Sequence, residues 1–155
     1  MRTSLKLFAL VGVATSPAFG QSLEGVWKPV QIVVDSGPDR GRHTNDVQPG
    51  QLIFTKHHYS MMFVQGFKAR PIPSDSARNE DLAPLFVPFT ANGGTYDRKG
   101  STLTLSPAVA KNPAVMARTF SMTFTIRTKG DSLWARPTRG PFAGGEFKWV
   151  RIERR

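Results

Sequence analysis

From Arg118 to Thr128 the even positions carry Arg118, Phe120, Met122, Phe124, Ile126 and Thr128, while the odd ones carry Thr119, Ser121, Thr123, Thr125 and Arg127. A period of two held across this stretch defines a strand with one apolar and one polar face, because helical side chains return to a face only about every 3.6 residues. Such a strand needs partners that cover its apolar face. The remaining apolar segments supply them: Leu23–Asp35, Gly50–Lys56, His58–Gln65, Gly94–Asp97, Thr102–Ser106, Asp131–Arg136 and Glu146–Glu153. Turn residues punctuate the series at Ser36-Gly37-Pro38-Asp39, Asn92-Gly93-Gly94, Lys99-Gly100, Lys129-Gly130-Asp131 and Gly144-Gly145. Short strands joined in sequence by tight turns predict an all-β, meandering antiparallel sheet that protects its edges by closing on itself, with a flat sandwich as the competing architecture.

One stretch breaks the rhythm. Ser74-Asp75-Ser76-Ala77-Arg78-Asn79-Glu80-Asp81 reads as polar and acidic residues entering a short helix, with Leu82, Leu85 and Phe86 on helical spacing and Pro88 as the stop. Pro84 keeps that helix short. An insertion of this kind serves either as a lid across one barrel mouth or as a connector that plugs an end of the core.

The first 20 residues stand apart from the fold. Arg2 and Lys6 form a positive start, Leu7–Ala14 is apolar, and Ser16-Pro17-Ala18-Phe19-Gly20 offers small residues, so cleavage is expected after Gly20. The apolar run falls well short of the roughly 20 residues that span a bilayer, and no later segment is long and apolar enough to span one. The chain has no cysteine, which excludes disulfides and a lipid-modified N-terminal cysteine, and the expectation is a soluble periplasmic or secreted protein. Residues 21–155 then form a single domain. Of 21 Lys and Arg, removal of Arg2 and Lys6 leaves 19 against 11 Asp and Glu, a net charge of +8. That surface favours anionic partners, but the basic residues are scattered, with Arg151, Arg154 and Arg155 the nearest approach to a cluster.

Gly25-Val26-Trp27 opens the first apolar segment directly after the leader. With its neighbours Leu23-Glu24 and Lys28-Pro29-Val30 it resembles the opening strand of the bacterial lipocalin-like proteins, the calycin-type β-barrels. Gly50-Gln51-Leu52-Ile53-Phe54 followed by His58-Tyr59-Ser60-Met61-Met62 is similar to that family's second hairpin, and Asn92-Gly93-Gly94-Thr95-Tyr96 to its glycine-threonine-tyrosine step. Asn112-Pro113 with Arg118-Thr119-Phe120 resembles the approach to a central strand, and Lys148-Trp149-Val150-Arg151 the closing strand. The resemblance covers most of residues 21–155 and implies an antiparallel up-and-down lipocalin-like barrel of about eight strands, with one short helical insertion and an internal apolar cavity. Two departures stand out. Many lipocalin-like relatives carry a histidine in the strand after the glycine-tyrosine step, whereas Thr102-Leu103-Thr104-Leu105 has none, and the Pro137–Gly145 hairpin is longer and richer in turn residues than a plain connection.

Physical chemistry assigns roles to individual side chains. Trp27 is large enough to seal a barrel end, with Arg151 on the adjoining last strand stacked over its face and Gly25 allowing close approach at the strand start; alternatively Trp27 lines the cavity. Arg118 shares its face with Phe120, Met122 and Phe124, and a cation there must either grip an anionic ligand group, pair with an internal acid or reach solvent. Tyr59, Met61 and Phe63 fall on one parity and Met62 and Val64 on the other, which leaves the facing of that strand open; Tyr96 joins Tyr59 as a candidate cavity residue. No catalytic residue is assigned. The adjacent His57 and His58 would face opposite sides of a strand and His43 is distant in sequence, so no metal site is expected. There is no nucleophile elbow, no phosphate-cradling glycine loop and no calcium loop in Asp35–Asp39. No cofactor is implied. The expected function is non-catalytic binding of a small apolar or amphipathic, and potentially anionic, molecule in the barrel. The alternatives are a lumen isomerase or cyclase using residues such as Tyr59, Tyr96, His58 and Arg118, and a basic polyanion binder, for which the required alternation of surface basic and aromatic residues is missing.

Overall fold

The computed structural model describes residues 21–35, 40–117, 120–139 and 143–154. The expected leader, the Ser36–Asp39 turn, Arg118 and Arg155 lie outside the described residues, as does the centre of the Pro137–Gly145 hairpin. The strands are β1 (Gly25–Val34), β2 (His43–Thr44), β3 (Gly50–Phe54), β4 (His58–Val64), β5 (Phe89–Lys99), β6 (Thr102–Ala110), β7 (Met122–Lys129), β8 (Ser132–Pro137) and β9 (Gly145–Glu153). One helix, α1 (Asn79–Phe86), lies in the β4–β5 connection, and a short 3-10 turn, Pro113–Met116, lies between β6 and β7.

The sheet order is β2-β1-β3-β4-β5-β6-β7-β8-β9 with β9 returning to β1, and every ladder is antiparallel. Eight strands therefore form a closed up-and-down barrel, with β2 as an extra strand. This is the lipocalin-like architecture at the level of fold. β1 carries the closure: one of its edges pairs with β9 from Val26↔Glu153 to Val34↔Gly145. The other pairs first with β3 through Gly25–Trp27 and then with β2 through Ile32 and Val33.

Alternation sets the interior. Leu52 and Phe54 of β3, Tyr59 and Met61 of β4, Leu103 and Leu105 of β6, Ile126 of β7, Leu133 and Ala135 of β8 and Trp149 of β9 all lie in the buried core. The open parity in β4 is thereby resolved over Tyr59–Met62, since Tyr59 and Met61 are buried and Met62 is exposed, while at the strand end Val64 is buried as well. In β1 the register slips between Pro29 and Gln31; this extra residue returns Ile32 to the inside after Trp27 and Pro29, as a bulge does when it re-aims a strand.

One end of the barrel has only tight turns, and the segment Gln21–Glu24 crosses it. Trp27 is fully buried there, and its indole N–H donates to the Leu23 carbonyl at 2.8 Å. The Arg151 guanidinium stacks over the Trp27 ring at 4.3 Å. It donates to the Ser22 carbonyl at 2.7 Å and to that of Glu24, while Arg98 donates to the Gln21 carbonyl. Two arginines thus satisfy three strap carbonyls that have no ladder of their own. Burial, and then the nearby Arg154 charge, lower the Arg151 pKa from its ordinary value, opposed by Asp131. Gly25 starts the strand at φ +124°, and a Cβ at that position would collide with the Glu153 carbonyl oxygen. Only glycine fits this approach.

Differences from the sequence expectations lie at strand ends. The expected Arg118–Thr128 strand is described only as Met122–Lys129, because its partner register stops at Leu105↔Met122 and Phe124↔Pro137. Phe120 lies before the strand, its N–H turned back to the Ala117 carbonyl at 2.8 Å. β5 and β6 run several residues further than expected, to Phe89 and Ala110. The helix falls between Ser74 and Pro88 as expected and contains Pro84.

Trp27→Ala should cost about 3–5 kcal/mol, the scale of large aromatic truncations in a core. Arg151→Ala should cost less, about 2 kcal/mol, for a partly buried cation–π contact and its carbonyl hydrogen bonds. Urea unfolding of the two variants checks the order, and equal midpoints with wild type would contradict the seal.

Candidate functional site

The opposite end of the barrel is built from the long connections: β1–β3, β4–β5 with α1, β6–β7 with its 3-10 turn, and β8–β9. Beneath this mouth the lumen holds a cavity of about 80 Å³ lined by Pro29, Ile32, Leu52, Phe54, Met61, Phe63, Val64, Leu103, Leu105, Met122, Phe124 and neighbouring apolar residues, with Gln48 and Thr90 as its polar members. Side chains fill most of the lumen, as the width of an eight-stranded barrel permits. The cavity has room for a fragment of a ligand, not for the roughly 300–1,000 Å³ of a whole drug-sized one.

Larger hollows ring the mouth. The best defined, a lateral cleft of about 530 Å³, exists because β5 and β6 outrun β7. β5 pairs with β6 as far as Asn92↔Ala110, whereas β6 pairs with β7 only over Thr102–Leu105. Beyond Leu105 the two strands part. Phe89, Thr90 and Asn92 of β5 line one side of the cleft, Lys111 and Val115 the top, and Phe120, Met122 and Phe124 the other side, with Arg139 at its edge. Thr90, Met122, Phe124 and Pro137 line both the cleft and the lumen cavity, so these four side chains form the wall that the two spaces share. Two further hollows of about 500 Å³ each flank α1.

The helix borders this mouth and does not fill it, since none of its residues is buried. The backbone N–H of Arg78 is held by Asp81 Oδ2 at 3.0 Å at its start. Its C-terminus has no basic residue in the last turn; Lys111 reaches over from the end of β6 and donates to the carbonyls of Phe86 and Phe89, the latter at 2.9 Å. A cation at this end also complements the helix dipole.

The candidate residues separate along the barrel axis. Met61, Phe63, Met122 and Phe124 line the lumen cavity, the last two also the cleft, and Phe120, 38% exposed, lines the cleft alone. Tyr59 and Tyr96 face inward without lining either space: Tyr59 is in the core and Tyr96 packs edge-on against Phe54 with ring centroids 4.9 Å apart. Gly25, Trp27 and Arg151 belong to the sealed end, remote in the ladder from the mouth. Arg118 lies outside the described residues.

The sequence marks Asn92 as a turn residue and not as a site candidate. It sits on the inward face of β5 opposite Met61 and is 7% exposed. Its Oδ1 accepts the Tyr59 hydroxyl at 2.7 Å. An Asn followed by two glycines signals a turn in any sequence, and only the register of the barrel makes this one an inward-facing amide. Burial pushes the Tyr59 pKa well above its ordinary value of 10.0, and burial first, then the Glu24 charge, raise that of Tyr96. Both hydroxyls stay protonated at neutral pH and hold fixed hydrogen bonds, Tyr96 to the Thr55 carbonyl at 2.9 Å. Among the described residues no three His, Cys, Asp or Glu are grouped to hold a metal ion, and no helix is long and apolar enough to cross a membrane.

No protein-family model matches the chain, and no curated protein matches it. Among solved structures it is similar to a lipocalin-like protein from Bacteroides uniformis ATCC 8492, at 14% identity over 84% of this chain and 98% of that one, with a TM-score of 0.49. It is also similar to an uncharacterized protein from Bacteroides eggerthii DSM 20697, at 11% identity over 84% of this chain and 100% of that one, with a TM-score of 0.47. The barrel assignment rests on the ladders and their closure, not on these likenesses.

The chain contains two tyrosines only, so an absorbance titration reads Tyr59 and Tyr96 alone. Each has its folded pKa raised above the unfolded value. Their contribution to stability is therefore complete below about pH 10 and lost as pH rises through the folded values. Tyrosinate absorbance should appear together with loss of the native circular dichroism signal above pH 10; a separate, earlier tyrosine transition in the folded protein would show that the hydroxyls are not buried donors.

Proposed function

We propose that this is an exported protein that binds a small apolar or amphipathic molecule without catalysis, with part of the ligand in the lumen and most of it at the mouth. The observation that carries this reading is an apolar lumen cavity and a cleft of ligand size that lie against the same four side chains, Thr90, Met122, Phe124 and Pro137, whose repacking would join them. The expected leader supports export to the periplasm or the medium. Methionine at the junction suits a site that adapts to an apolar chain, since its thioether and flexible stem repack at low cost. The two tyrosines, protonated and committed to internal hydrogen bonds, fit structural roles better than acid–base ones.

Protein recovered from the periplasm should begin at Gln21 and yield a small amphipathic molecule on solvent extraction. Stripped of it, the protein should bind 1-anilinonaphthalene-8-sulfonate at about 1:1. Met122→Trp, which enlarges the wall shared by the two spaces, should weaken that binding roughly tenfold at a stability cost of about 1–3 kcal/mol. Failure of both this dye and uncharged apolar probes to bind the stripped protein would sink the proposal, as would an affinity that collapses with added salt, the signature of polyanion binding.

A further inference from the structure

We infer that the lateral cleft is a recognition site for a carboxylate-bearing amphiphile, and that Asn92 is the group that reads its head. This rests on the binding reading above and adds to it the substrate class and the discriminating residue. Asn92 is more than nine-tenths buried and lines the cleft. The Tyr59 hydroxyl, itself buried, must place its proton on an acceptor, and Asn92 Oδ1 is the acceptor it has. That hydrogen bond fixes which way the amide points, because a carboxamide carries its acceptor on one side and its two donors on the other. The Nδ2 donors are left facing the cleft, and they have no partner among the described residues. They are not among the fully buried side-chain atoms that lack a partner, so they stay open to the cleft, where an entering acceptor would meet them.

The surroundings select the acceptor. Among the described residues lining the cleft there is no Asp or Glu. Arg139 at its edge is exposed and forms no ion pair among the described residues, whereas Lys111 is committed to the carbonyls at the end of α1. Phe89, Phe120 and Phe124 supply apolar walls. An oxygen head with negative charge and an apolar tail satisfies all three: it accepts from Nδ2, meets the cation at the rim and directs its tail along Met122 and Phe124 toward the lumen. The small lumen sets the tail at medium length, of which only the end enters the barrel.

Decanoate and decan-1-ol, which share a tail and differ in the head, test this by calorimetry on stripped full-length protein. Wild type should bind decanoate at least tenfold more tightly than the alcohol. Asn92→Asp keeps an oxygen for the Tyr59 hydroxyl and replaces the donor by a second acceptor; it should weaken decanoate by about ten- to a hundredfold, the range for a lost hydrogen bond to a charged group, and leave the alcohol within about twofold. Arg139→Gln, at an exposed position, should weaken decanoate alone by a few fold. In protein labelled with 15N-asparagine, the Asn92 side-chain amide signal should move with decanoate and not with the alcohol, a readout that stands even if Asn92→Asp fails to fold. Equal affinity for acid and alcohol, or an unmoved Asn92 signal at saturating decanoate, would overturn the inference while leaving the binding reading intact. Binding of neither compound, nor of the dye, would overturn both.

Discussion

The first strand must satisfy three neighbours, and most of the architecture follows from how it does so. β1 closes the barrel along β9, holds β3 by its first residues and β2 by its last. No straight strand does this while keeping one face inside. The register slip after Pro29 supplies the bend and turns Ile32 inward, and Gly25 lets the strand begin where a side chain would strike the Glu153 carbonyl. Closure leaves the segment before β1 without a ladder partner. The same ladder sets Arg151 opposite Trp27, and it is Arg151 that captures the free carbonyls while stacking on the indole. The sealed end is thus a consequence of closure and not a separate motif.

The two ends of the barrel differ for a related reason. At the sealed end hairpins are tight, as at Gly100 and Gly130, both at positive φ, and the ladders run to the turns. At the mouth they stop early. Pro137 ends β8 opposite Phe124, past which Thr138 adds one last hydrogen bond to the Thr123 carbonyl at 2.9 Å, and β6 bends at Pro107, where its pairing with β5 slips beside Gly94. A Cβ on Gly94 would collide with the Ser106 carbonyl, so the bend is packed tightly and specific to glycine. Strands that cease to pair leave a lateral gap, and the cleft lies in it.

What the sequence discloses divides along the same line. Strand positions, the short helix and the stacking partner of Trp27 all follow from period-two alternation, turn residues and aromatic size, because these are local signals that closure then uses. Facing in β4 does not follow: Tyr59-Ser60-Met61-Met62-Phe63 has apolar groups on both parities, and only pairing with Gly50–Phe54 puts Met62 outside. The cleft is illegible for a stronger reason. It arises from a difference in length between two ladders, a quantity that no single segment contains. Asn92 is masked in the same way, since its polar character and following glycines describe a turn, whereas the register places it inside a continuous eleven-residue strand.

A barrel of this width must divide its interior between packing and binding. Trp27, Phe54, Leu105 and Leu133, all but fully buried, fill the axis, and what remains as cavity is a few water volumes at about 30 Å³ each. An apolar remnant of that size adds affinity in proportion to the area it dries but has no means of telling one hydrocarbon end from another. Discrimination therefore falls to directional groups, which among the described residues the lumen has in Gln48 and Thr90 and the cleft has in greater number, among them Asn92, Asn112, Ser121 and Thr123. The hydroxyl of Tyr59 is spent on Asn92, and that of Thr90 accepts from Gln65 at 2.7 Å. The Asn92 amide keeps its donors without a partner among the described residues. If the cleft binds as proposed, its selectivity depends on how far β5 and β6 extend past β7, since the same amide in a fully paired sheet would face only core.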